Sequence, residues 1–388
     1  MKNYLFLILV LSVLVSSCKK DNDDLPSSGE PIVLTGWQEE PRTLENRFSD
    51  PNASDYIVES TWLLRAHVIV EPGVRIEMSS GARINVAEGG ILTAEGTEDE
   101  PILFIGSEPV AGYWDYIRFD HSNSVNNILS HTIIRYGGGY STSFTDAAVF
   151  VNNDSRLTLK NSEISHSATN GFKVNFSSGI VQDFKNNTIS HCQQYPIKLA
   201  SIAQIATFDE TSIFVSNNTY EAISVEGAHI ESPLSIPKVN GPIILNGLTY
   251  LKAAVSVDAG SEFLMGPSSR IEVTQDASLN MIGTENNRIT FTGREEMPGY
   301  WDYIRFNNSN YSLNELQYVD VSYGGGGPSG AFADAIIFVN GGGYVKMGNS
   351  SVNYSEQYGV KVRNQNGNFV DEGNNTFTGN LLGDISLP

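Results

Sequence analysis

NSEISH at residues 161–166 returns as NNTISH at 186–191, a step of 25 residues that keeps Asn, Ile and His in place. Nearer the C-terminus, Asn349-x-x-Val352 recurs at the same step as Asn374-x-x-Phe377. Around these repeats lie short alternating runs rich in β-branched and aromatic residues, among them RINV (83–86), ILFIG (102–106), YIRF (116–119), TIIRY (132–136) and RLTLK (156–160). Past the N-terminal segment no window of ten or more residues carries a 3.6-residue stripe, so these runs read as strands. Strands with a coil-length period of roughly 20 to 25 residues point to a parallel β-helix, in which each turn lays a strand on the one before. Asn161, Asn186, Asn349 and Asn374 are then candidates for a structural ladder, because stacked amides can bond one another at a corner and Asn tolerates left-handed backbone angles.

A longer repeat organises the chain. GYWDYIRF occurs at 112–119 and again at 299–306, an offset of 187 residues. The same offset carries Arg83-Ile84 onto Arg270-Ile271 and Tyr136-Gly137-Gly138 onto Tyr323-Gly324-Gly325; past one inserted residue Asp146 matches Asp334. The sequence divides into unit 1 at 43–200, a bridge at 201–242 and unit 2 at 243–388. At about 23 residues per coil this gives roughly 14 coils and a rod on the order of 65–70 Å long. A propeller would need more than two copies at blade length, and paired sandwiches would show no 25-residue Asn period.

Charge and cysteine content exclude several function classes. Lys plus Arg total 24 against 44 Asp plus Glu, a net charge of -20, so the protein's field repels nucleic acid and no such partner is expected. Cys18 and Cys192 cannot build a disulfide framework or a zinc cluster. The apolar run Tyr4 to Val15 behind Lys2 is too short to span a bilayer and has the length of a secretory h-region. It ends in VSSC, which resembles a bacterial lipobox with Cys18 as the lipidated residue. Residues 1–17 then form the signal peptide, and 18–42 an acidic, polar tether and N-terminal cap. KKDNDD at 19–24 resembles the surface-export signal of Bacteroidetes-type lipoproteins, which implies a lipid-anchored protein of the outer membrane facing the medium.

EPGVRIEM (71–78), GTEDEPILFIGSE (96–108), GYWDYIRF and ILSHTIIRYGGG (128–139) together resemble the right-handed parallel β-helix proteins of the pectate-lyase-like superfamily, in their repeat-containing surface lipoprotein branch. The landmarks span about 43 to 388 and occur twice, with Tyr116 and Tyr303 where that family usually has Gly. The resemblance implies a right-handed solenoid, and polysaccharide as the class of ligand or substrate.

Several residues are candidates for chemistry. Ile117 and Phe119 share one side of their strand, which places Tyr116 and Arg118 on the other. With Trp114 they would make an aromatic and guanidinium platform for a sugar, and Trp301, Tyr303 and Arg305 would repeat it some eight coils on, for two-point binding. The competing reading has both tryptophans plugging a corner and both arginines paired with acids. Tyr136, His166 and His191 should stack as a column in or beside the core. Asp115, Asp302, Asp146 and Asp334 are the acids from which a calcium site would be drawn; no cofactor is required. Cys192 reads as a buried, inert thiol. The paired-Asp motifs of galacturonan hydrolases and the W-x-D-H run of pectate lyases are absent, and the basic candidates Lys173, Lys198, Arg135 and Arg294 are scattered.

These features favour a monomeric surface lipoprotein that binds an extended ligand, a polysaccharide or glycoprotein, or serves as an adhesin or structural rod. A polysaccharide lyase or glycoside hydrolase working in a groove is the alternative. Lys or Arg converging with two or more acids in one groove would favour the enzyme, and open faces bearing both tryptophan strands would favour the binder.

Overall fold

A computed structural model describes residues 25–139, 145–327 and 334–388; Cys18 and the segment before it lie outside. The chain is a right-handed parallel β-helix, and every pairing between named strands is parallel. One sheet runs its whole length. Its longest ladder takes, in order, Ile32–Gln38, Tyr56–Leu64, Arg83–Val86, Tyr116–Asp120, Ala147–Asn152, Asn170–Val174, Ile197–Leu199, Ile223–Glu226, Ile243–Asn246, Glu262–Met265, Ile289–Gly293, Val319–Ser322, Ser351–Asn353 and Thr376–Thr378, fourteen strands of the nineteen; Arg75–Met78, Ile102–Gly106, Thr132–Arg135, Glu163–Ser165 and Thr188–Ser190 branch from Tyr56–Leu64 as a second ladder in unit 1.

Alternation along each strand fills the core. On the long sheet Trp62, Ile84, Ile117, Val149, Phe172, Ile197, Ile223, Ile243, Phe263, Phe291, Val321 and Val352 stack in register, each 1% exposed or less. Each rung thus buries an apolar side chain against its neighbours above and below, the repeating interface that holds a solenoid together.

The bridge continues the solenoid. Ile197–Leu199 pairs with Ile223–Glu226, and that strand with Ile243–Asn246. Between the first two, the 3-10 helix Ile202–Thr207, capped by Ser201 and Gln204, buries Ile202 and Ile205.

The longest ladder does not join equivalent strands. The ladder that carries the YIRF strand Tyr116–Asp120 in unit 1 runs on into Ile289–Gly293 in unit 2, the counterpart of Ile102–Gly106, which in unit 1 stands in the branch ladder of the same sheet. The second YIRF strand, Ile304–Asn307, belongs to a separate seven-stranded sheet. The twin motifs therefore stand in different ladders of the solenoid, so the two platforms expected to repeat one another do not lie along one line of strands.

Candidate functional site

Trp114 and Trp301 precede their strands and turn inward. Neither has accessible surface, and each indole N–H donates to a backbone carbonyl, of Arg135 at 2.7 Å and of Ser322 at 2.8 Å. The glycine landmarks exist to fit them: a Cβ on Gly137 would lie 3.0 Å from Trp114, and one on Gly324 would lie 2.8 Å from Trp301. Neither tryptophan can stack on a sugar, so the exposed-platform expectation gives way to corner plugs.

Tyr116 and Tyr303 do lie on the outer side but are covered, 3% and 5% exposed. Tyr116 meets Phe150 edge-on at 5.4 Å, with the Arg83 and Arg118 guanidinium groups each 5.6 Å from its ring. Tyr303 donates its hydroxyl to Glu272 at 3.1 Å, and burial with that carboxylate beside it pushes the phenol up to about 12. Arg305 is ion-paired with Glu272, and the Arg118 guanidinium lies 3.6 Å from Asp120. The arginines are paired with acids, as the competing reading had it.

The acids weighed for calcium are engaged by cations. Asp115 meets Arg83 at 2.7 Å and Asp302 meets Arg270 at 3.1 Å; burial raises both carboxyl pKa values despite those arginines. Asp146 is ion-paired with Lys173, and Asp334 with Lys361. Among the described residues no three His, Cys, Asp or Glu side chains gather as a metal site.

His166 and His191 stack at 4.7 Å with rings 4° from parallel, and Tyr136 tilts onto His166 at 5.3 Å. The column stands beside the core, with Tyr136 packed against it, His166 partly exposed and His191 exposed. Both histidines have positive φ, 57° and 56°, and that bend takes them out of strand parity, which leaves the column beside the core rather than in it.

The structure assembles a different set of groups. Arg118, Phe150, Lys173 and Lys198 occupy one outward line on four successive rungs of the continuous sheet. Lys173, Asn175, Lys198, Ala200 and Glu226 line a solvent-open groove there. Lys173 is held by Asp146, and Lys198 Nζ lies 3.8 Å from Glu226. Just before the strands that carry Lys198 and Glu226, Tyr195 and Tyr220 stack at 4.6 Å. Arg294 adds its guanidinium 5.3 Å from the Tyr220 ring, and its Nη1 lies 3.4 Å from Tyr195 Oη. Tyr220 is 40% exposed, unlike either tryptophan. The signal was present in the sequence: Lys173 to Lys198 and Tyr195 to Tyr220 are both steps of 25, the same as the Asn ladder.

Comparison with protein-family models, with curated proteins and with solved structures finds no match to this chain.

Proposed function

We propose that this protein is a lipid-anchored, outward-facing β-helix of the outer membrane that binds an extended glycan along the groove at the end of unit 1. The observation that carries this reading is the Tyr195–Tyr220 stack with Arg294, an exposed aromatic and guanidinium surface next to strands bearing Lys198 and Glu226. Aromatic faces stack on sugar rings, while lysine, arginine and carboxylate groups bond the hydroxyls. The duplicated landmarks support kinship with the pectate-lyase-like repeat lipoproteins, and VSSC supports an anchor at Cys18.

A second reading, a polysaccharide lyase, is favoured by one feature: Lys173 with Asp146 and Lys198 with Glu226 converge on adjacent rungs of one groove. A panel of plant, host and microbial polysaccharides, read for retention and for unsaturated or reducing products, separates the two. Retention without products, weakened by Tyr220→Ala, supports the binder; products lost in Lys198→Ala support the lyase. Absence of both retention and products across the panel rejects the glycan reading. Membrane association that persists in Cys18→Ala rejects the anchor.

A further inference from the structure

Asn85 and Glu272 hold the same place in the two units, 187 residues apart, each in register with a duplicated arginine: Asn85 with Arg118, Glu272 with Arg305. In unit 2 the Glu272 carboxylate fills the space between the paired side chains. Its Oε1 accepts from the Tyr303 hydroxyl at 3.1 Å, and its Oε2 accepts from Arg305 Nε at 2.8 Å. At 1% exposed, Glu272 is an internal anion built into that site.

Unit 1 keeps the tyrosine and the arginine but lacks the carboxylate. Asn85, 7% exposed, leaves its Oδ1 without a hydrogen-bond partner, and Arg118 Nε is buried without an acceptor. Buried donors and acceptors left unmade are costly, and in native proteins such gaps are filled. Asp120 does not fill this one: its closest approach to Arg118 is 3.6 Å, to Nη2, and Nε keeps no hydrogen-bond partner. The Arg83 guanidinium also stands beside the Tyr116 ring, ion-paired with Asp115. With 26% of its side chain exposed, Arg118 can be reached from solvent.

We propose that unit 1 contains a site for one carboxylate group supplied by a ligand, seated against Arg118, Tyr116 and Asn85 where unit 2 carries its own Glu272. The guanidinium fork matches a carboxylate bidentately, and the Asn85 amide can turn Nδ2 toward it. Unit 2 is closed to such a ligand because Glu272 occupies the position. This inference holds independently of the Lys198–Glu226 groove and the Tyr195–Tyr220 stack.

The test titrates the mature chain by calorimetry with acetate, with glucuronate, with the uncharged methyl ester of glucuronate and with a short oligouronate. A carboxylate should bind at one equivalent per chain, and the ester should not. Asn85→Glu, which writes the unit 2 arrangement into unit 1, should weaken binding at least about tenfold while the protein stays folded. Glu272→Asn should open a second equivalent. Binding of the oligouronate alone would place the carboxylate on a polymer; binding of the monomers would place it on a small acid. The proposal is overturned if no carboxylate binds, if the ester binds equally, or if Asn85→Glu binds like the wild type.

Discussion

Asn186 donates from Nδ2 to Oδ1 of Asn161 at 3.0 Å, and Asn374 donates to Asn349 at the same distance in the other unit. All four have φ between 50° and 56°, so each corner asks for a residue that bonds its neighbour and accepts a left-handed backbone. Asn does both, whereas Ala does neither and Gly only the second. Asn186→Ala should therefore cost about 2 kcal/mol, from roughly 1 for the backbone and roughly 1 for the bond, and Asn186→Gly distinctly less. Denaturant titration of the two variants measures the difference; equal losses would remove the backbone part of the explanation.

Strand parity was legible wherever the chain is a strand, and it misled at corners. Ile117 and Phe119 face inward as alternation requires. Trp114 lies before its strand begins and His166 at a positive-φ bend, so neither obeys the period of two. The displacement of the YIRF twins into different ladders was hidden for another reason. It depends on which elements the bridge contributes, and one of those is a 3-10 helix rather than a strand. The Asn85 and Glu272 exchange was visible as a mismatch within the 187-residue repeat, but its meaning needed the register that puts each beside an arginine.

The ion pair Lys173–Asp146 has a twin in Lys361–Asp334, and the two differ in burial. The side chains are 7% and 15% exposed in the first, 23% and 28% in the second. Removing one partner of a buried pair strands the other charge in a poor solvent, so Lys173→Met should destabilise by about 3–5 kcal/mol. Near the surface, water takes over the orphaned charge, and Lys361→Met should cost about 1 kcal/mol or less. Thermal melts of both variants compare the same chemistry at two depths. Equal shifts would mean that burial does not set the cost here.

Asp320 receives Arg288 through two hydrogen bonds, at 2.6 and 2.8 Å, and a third from Ser351 at 2.6 Å. Burial pushes this carboxyl up, but the bonds from Arg288 and Ser351 outweigh it and hold the pKa below the usual aspartate value. A carboxyl lowered by folding contributes stability above its unfolded pKa of about 3.9, and that stability is lost as pH falls through the folded value. Asp320→Asn should therefore melt below the wild type at pH 7, with the gap shrinking as the buffer is taken below pH 4. A gap that stayed constant across that range would show that the ionised form is not what the site stabilises. Asp302, raised by burial, works with the opposite sign: its contribution is present at low pH and lost as pH rises through the folded value.

Cys192 sits beside His191, and the adjacency suggests a reactive pair that the geometry denies. His191 is exposed on the corner column, while Cys192 turns into the core at 2% exposed. Burial pushes the thiol up to about 12, and its Sγ lies 3.6 Å from the Ser190 carbonyl. Since the thiolate is the nucleophile, such a thiol is almost entirely in its unreactive form at neutral pH and is also shielded from reagent. In a Cys18→Ala background, where Cys192 is the one remaining cysteine, iodoacetamide should label the native protein no faster than it unfolds, and denaturant should accelerate labelling in proportion to the unfolded fraction. Prompt labelling without denaturant would mean that the coil around Cys192 opens locally, and the inert assignment would fail.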